Sequence, residues 1–226
     1  MDAVVLDLFG TIVAAPTPSD RMHGSSRLAR VIGCHPSAVE RYFRATWHVR
    51  HDGTLATVLA IAEHLVQAVS GRRLVVEPVA DELRALGRAR LIPQATVVQT
   101  LSLLRESGFR LGVLSDASAE IAAAWATSPL ASVVDAVLFS CTIGYIKPDQ
   151  RLYAHISDEL GVRAQQALYV GDGGGDELRG ALDSGMTAVA VRRRGPSDAL
   201  AFGDAPWPGP VIDAVERLPS YVARVR

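Results

Sequence analysis

Four short stretches each place acidic, hydroxyl or basic side chains directly behind an apolar run: Asp7 in VVLDLFGTIV, Ser115 and Asp116 in LGVLSDAS, Lys147 in GYIKPD, and Asp172 and Asp176 in YVGDGGGDELRG. If those runs are parallel strands of one doubly wound sheet, the polar groups converge, because ligands of such sheets bind beyond the carboxyl ends of the strands. Asp7, Asp172 and Asp176 would repel one another at close quarters, and a hard divalent cation with oxygen ligands, Mg²⁺ above all, removes that repulsion. The ion would also neutralise a phosphoryl group presented to Asp7, with Ser115 and Lys147 on the remaining phosphate oxygens. Gly173, Gly174 and Gly175 allow a sharp turn between the acidic residues. The loop does not read G-x-G-x-x-G, and an acidic pair at a helix start repels a pyrophosphate, so dinucleotide binding is disfavoured. Taken singly, each residue has a plain structural use: Ser115 as a helix cap, Lys147 as a solvated side chain, Asp176 at a helix N-terminus. Their joint appearance is what points to chemistry.

The elements that must position these groups are legible in outline. Apolar runs at residues 3–6, 111–114, 136–139, 167–170 and 187–191 are short, rich in Val and Leu and not cleanly alternating, as expected of strands buried on both faces. Helical patterns lie between the later ones. Leu152, Tyr153, Ile156 and Leu160 share a face, with Pro148 expected in the first turn and Gly161 as the stop; Val97 to Glu106 behaves alike, ending at Gly108. The expected fold class is α/β, a doubly wound parallel Rossmann-like sheet with a helical cap domain. The cap is residues 15–92, where only helices are expected: one from Pro36, one carrying Leu55, Val58, Leu59, Ala62, Leu65, Val66 and Val69 behind Thr54 as N-cap, and one with Val79, Leu83 and Leu86. Residues 1–14 and 93–226 form the core, joined to the cap by proline-containing links near Ala14–Pro18 and Leu91–Gln94. Arg192 to Pro210 reads as a long surface loop, its three arginines solvated.

At 226 residues, with a net charge of −1 and 49% hydrophobic residues, the chain suggests neither disorder nor a surface for polyanions, and nucleic acid is not expected as a partner. No apolar run is long enough to span a bilayer and no leader-like segment opens the sequence, so no membrane association and a cytoplasmic location are expected. Cys34 and Cys141, the two cysteines, lack metal-like spacing and are expected to be reduced.

The motifs DLFGT, LSD, IKP and GDGGGDE, in this order and with a helical insertion after the first, resemble those of the haloacid dehalogenase superfamily of hydrolases, in the branch whose cap follows the first motif. The resemblance spans essentially the whole chain. It implies Asp7 as covalent nucleophile, Ser115 on the transferring group and Lys147 stabilising the charge of both. It implies Mg²⁺ held by Asp7, the backbone carbonyl of Phe9, Asp172 and Asp176. Gly10, Thr11 and Asp116 beside these groups, with His23 and Arg27 from the insertion, are assigned to the substrate, a small phosphorylated metabolite.

Phe9 departs from the phosphatases of the superfamily, which usually carry there a second aspartate that protonates the leaving alcohol. Such acid–base help is worth roughly 10² to 10⁴ in rate, about 3 to 5 kcal/mol. Three readings compete. A 2-haloacid dehalogenase tolerates an aromatic residue at this position but needs no metal, which leaves Asp172 and Asp176 without a purpose. A phosphatase could draw its proton from cap residues such as His23, His48 or His51, or act on a good leaving group such as an acyl phosphate. A non-catalytic module could merely bind a phosphorylated ligand. The retained acidic groups and lysine favour the phosphatase.

Overall fold

The computed structural model describes residues 1–70, 75–192 and 207–225. In chain order the elements are β1 (Ala3–Leu6), α1 (Pro18–Ile32), α2 (Pro36–Ala45), α3 (Trp47–His51), α4 (Val58–Ser70), α5 (Glu77–Arg90), α6 (Ala95–Glu106), β2 (Arg110–Ser115), α7 (Ala119–Ala124), β3 (Ala136–Phe139), α8 (Ser140–Ile143), α9 (Gln150–Glu159), β4 (Ala167–Gly171), α10 (Glu177–Asp183), β5 (Thr187–Val191), β6 (Val211–Ile212) and α11 (Leu218–Val225). All six strands run parallel in the order β3-β2-β1-β4-β5-β6. The order reverses between β1 and β4, which makes the crevice beyond those two strands the natural ligand site.

Alternate residues of each strand face opposite ways, and both faces are covered. Val4 and Leu6 join Val113 and Val170 in a cluster with Leu101 of α6, Ile121 of α7 and Leu218 of α11. Ala3 and Val5 join Tyr169 and Ala188 in a second, with Tyr153 and Ile156 of α9 and Leu178 of α10. Two-sided burial is why the strands read as unbroken apolar runs.

Helices α1 to α5 lie between β1 and β2, and α1, α2, α4 and α5 share a third cluster, in which Leu28, Tyr42, Ile61, Leu65 and Leu83 are buried. Ala119 of α7 belongs to it, so the insertion packs directly onto a helix of the sheet layer. Gly87 permits this: a Cβ there would run into the carbonyl of Glu120.

Several sequence expectations need correction. The helix with Leu65 begins at Val58, and the Thr57 hydroxyl, not Thr54, accepts from the Ala60 N–H at 3.0 Å. Pro148 stands before α9, whose N-cap is Asp149, with its carboxylate accepting from the Arg151 N–H at 3.0 Å. Helix α1 was not expected, because its sequence is largely polar; a capping box of Thr17 and Asp20 starts it. Strand β6 was missed as well. Of the Arg192–Pro210 loop, Arg192 is exposed and 3.7 Å from Asp213, and Trp207 donates its indole N–H to the Pro210 carbonyl at 2.9 Å while packing on the second cluster. Arg193, Arg194 and the remainder to residue 206 lie outside the described residues. Both cysteines are free. Among the described residues no helix is long and apolar enough to cross a membrane.

Candidate active site

Asp7 directly follows β1, with its N–H on the Val170 carbonyl of β4 at 2.8 Å, and its side chain is 5% exposed. The backbone then folds back on itself: Gly10, at φ 85°, donates to the Val13 carbonyl, and Leu8 accepts from the amides of residues 11 to 13. That tight turn brings the Thr11 hydroxyl to Asp7 Oδ2 at 3.2 Å. Thr11 therefore touches the aspartate, and neither it nor Gly10 lines the adjoining cavity.

Lys147, in the connection from β3 to α9, is buried and bridges two carboxylates, with Nζ 2.6 Å from Asp7 Oδ1 and 2.5 Å from Glu177 Oε2. Its backbone N–H donates to Asp116 Oδ1 at 3.0 Å, which ties the lysine loop to the end of β2. Burial alone would lower the lysine pKa, but Asp7 and Glu177 more than offset it and hold the ammonium charged.

Glu177 is the residue that sequence reasoning passed over. It is 1% exposed, and its carboxylate takes the Lys147 ammonium, the Tyr169 hydroxyl at 2.9 Å and the Gly173 N–H at 3.0 Å. Among the described residues the acidic group that could surround a cation is Asp7, Asp172 and Glu177, whose oxygens come within 4.8 Å of one another. Asp176 lines the cavity but stands outside that group. The loop explains the substitution of one acid for its neighbour. Gly173 and Gly175 take positive φ, Asp176 itself sits at φ 52°, and this left-handed run turns Glu177 back over the end of β4. Gly171 makes the room, since a Cβ there would overlap the Glu177 carboxylate.

The electrostatics fit a cation. Burial pushes the Asp7 carboxyl up, against the pull of Lys147, and the neighbouring Asp172 pushes the same way. Glu177 is raised to about 8, first by burial and then by Asp7. One ammonium thus serves more buried negative charge than it can neutralise, and a divalent ion among the three carboxylates would supply the difference.

These groups open into one cavity of about 580 Å³. Asp7, Phe9, Ser115, Asp116, Lys147 and Asp172 line its sheet end; Arg21, Phe43, Arg44, Trp47 and Arg90 line it from the insertion. Ser115 ends β2 and is 1% exposed. The Phe9 ring packs against the first apolar cluster. His23 and Arg27 do not line the cavity: His23 is exposed, and Arg27 is ion-paired with Glu82 at 2.5 Å. The buried stripe of α1 instead turns Gly24, Ser25 and Leu28 toward it. His51 does line it, but its ring is stacked on Trp47 at 4.3 Å and Nδ1–H donates to the Trp47 carbonyl at 2.7 Å.

The model of the haloacid dehalogenase-like hydrolases matches residues 1–185. The chain belongs to that family. The hydrolase is 32% identical over 133 residues to a glyceraldehyde 3-phosphate phosphatase of Methanopyrus kandleri, covering 58% of this chain and 56% of the relative. It is 33% identical over 98 residues to (S)-2-haloacid dehalogenase 4A of Burkholderia cepacia, covering 43% and 42%. The matches span about half the length of these curated relatives. In fold it resembles a 2-haloacid dehalogenase of Pseudomonas syringae (TM-score 0.71, 21% identity, all of both chains). It also resembles a family enzyme of Bacteroides thetaiotaomicron in complex with magnesium and inorganic phosphate (TM-score 0.66, 11% identity, 88% of this chain and 98% of the other).

Proposed function

We propose that this hydrolase is a Mg²⁺-dependent phosphatase that removes a phosphoryl group from a small metabolite through an aspartyl-phosphate on Asp7. The observation that carries the reading is the carboxylate group of Asp7, Asp172 and Glu177, in which the buried Asp7 and Glu177 share a single lysine charge and Asp172 is half-buried. A halide leaves without a metal, and such a group would only burden a dehalogenase. Asp7, Asp172 and Glu177, with the Phe9 carbonyl, would hold the ion, and Asp176 would support it from the loop. Once bound, Mg²⁺ would draw charge from the phosphoryl oxygens.

The chain's own groups do the rest. Thr11 and Lys147 each hold one oxygen of Asp7 and so fix the carboxylate for attack on phosphorus. Ser115 and the Lys147 ammonium take the phosphoryl oxygens, and Glu177 and Tyr169 keep that ammonium in place. Residues 15–92 act as the cap: α1, α2, α3 and α5 shield the phosphoryl site from water and present Arg21, Arg44, Trp47 and Arg90 to the leaving group.

Phe9 and the dehalogenase relatives favour a second reading, hydrolysis of a carbon–halogen bond at Asp7. Phosphate and halide release from panels of phosphate esters, acyl phosphates and 2-haloacids separates the two. The phosphatase reading expects phosphate release that needs Mg²⁺, stops with chelator and vanishes in Asp7→Asn. Halide release indifferent to chelator would overturn it.

A further inference from the structure

A phosphatase with phenylalanine two residues beyond its nucleophile must find its proton elsewhere, and the cavity holds a carboxyl group suited to the task. In the parallel pairing of β1 with β2, Leu6 stands opposite Val113. Phe9 lies in the turn that follows β1, and Asp116 is the first residue past Ser115, the end of the adjacent strand β2. Both line the cavity that Asp7 opens into. Asp116 Oδ1 is fixed by the Lys147 N–H at 3.0 Å, while Oδ2 takes no hydrogen bond among the described residues.

Resting on the phosphatase reading above, we propose that Asp116 is the general acid and base of this hydrolase. In the first step an Asp7 oxygen bonds to phosphorus, the bond from phosphorus to the leaving oxygen breaks, and the Asp116 carboxyl gives that oxygen its proton, releasing the alcohol. In the second, the Asp116 carboxylate takes a proton from water as the water oxygen bonds to phosphorus and the Asp7–phosphorus bond breaks. Inorganic phosphate leaves, and both aspartates return to their starting states.

Three of the other proton carriers of the cavity are committed. Lys147 is held charged between two carboxylates, Glu177 has three donors on its two oxygens, and His51 is kept neutral, its pKa lowered to about 3 by burial and by Arg50. The charges that reach Asp116 are Lys147 from the β3–α9 connection, Asp7 from the end of β1 and the Tyr153 phenol of α9. Burial, opposed by Lys147, raises the Asp116 carboxyl to about 6, where it can both give and take a proton near neutrality.

The test is Asp116→Asn, assayed with Mg²⁺ on glycerol phosphate, whose alkoxide must be protonated, and on 4-nitrophenyl phosphate, whose phenolate leaves unaided. The asparagine oxygen can still accept from the Lys147 N–H, so the loop is preserved. The expected result is a loss on the order of 10² to 10⁴ in kcat/KM for glycerol phosphate with little change for 4-nitrophenyl phosphate. The acid must be protonated in the first step, so wild-type kcat/KM for glycerol phosphate should fall as pH rises through about 6, and the variant should lose that limb. Equal losses on both substrates, or none on glycerol phosphate, would overturn the role of Asp116 and leave the phosphatase reading standing. A wild-type chain that releases phosphate from neither overturns both.

Discussion

Replacing His51 by phenylalanine would isolate the energy stored in a neutral, buried imidazole of the insertion. The wild-type ring is stacked on Trp47 at an interplanar angle of 13° and donates to the Trp47 carbonyl. Burial, reinforced by Arg50, lowers its pKa from 6.5 to about 3. The unfolded chain therefore takes up this proton more readily than the folded one between about pH 6.5 and pH 3, and folding stability must fall as pH drops through that window. From those two pKa values the loss between pH 7 and pH 5 is about 2 kcal/mol. Phenylalanine keeps the stack, cannot titrate and gives up one hydrogen bond, worth about 1 kcal/mol. Urea denaturation of both proteins at pH 7, 6 and 5 should show the wild type more stable at pH 7 and the variant more stable at pH 5. Carboxylates that titrate in the same range are common to both proteins and cancel in the difference. A stability gap that stays constant across the three pH values would refute the reasoning.

Two further outcomes follow from the site and its cover. Mg²⁺ at about 100 times its dissociation constant should stabilise the folded chain by about 2.7 kcal/mol. That appears as a rise in Tm which Asp172→Asn should largely abolish, whereas an equal rise in both proteins would move the ion away from Asp172. Gly87→Val would drive α5 off the Glu120 carbonyl of α7, at a cost of about 1 to 3 kcal/mol. Because α5 also carries Leu83, Leu86 and Arg90 into the cavity, KM should rise along with the loss of Tm; an unchanged Tm would mean that the two helices are not in close contact.

The parts of the fold that the sequence announces are those in which one physical requirement dominates. Strands covered on both faces must be apolar at every position, and five of them stand out as such. Ligands of a parallel sheet bind beyond its strand ends, so the cavity-lining Asp7, Ser115, Lys147 and Asp172 are visible in the sequence. Where two requirements compete, the reading falters. Helix α1 carries few apolar residues because much of one side is solvent-exposed and its buried stripe uses Gly24 and Ser25, yet the Thr17 to Asp20 capping box was a usable signal. Strand β6 is two residues long, too short for any periodicity to register. Asp176 and Glu177 are adjacent acids, and composition cannot decide which one turns inward. The decision lies in backbone conformation, in the positive φ of Gly173, Gly175 and Asp176, and in Gly171 leaving space for the longer side chain. His23 and Arg27 were drawn to the substrate by their chemistry alone, and the phase of α1 turns neighbouring residues to the cavity instead.

The most direct test of the central claim is to trap the intermediate. The hydrolase would be mixed with 4-nitrophenyl phosphate and Mg²⁺, quenched in acid within the first turnover, digested and examined by mass spectrometry. The account predicts a phosphoryl adduct on the peptide containing Asp7, absent from Asp7→Asn and from samples treated with chelator. Steady phosphate release with no adduct on that peptide, or an adduct on another residue, would contradict it.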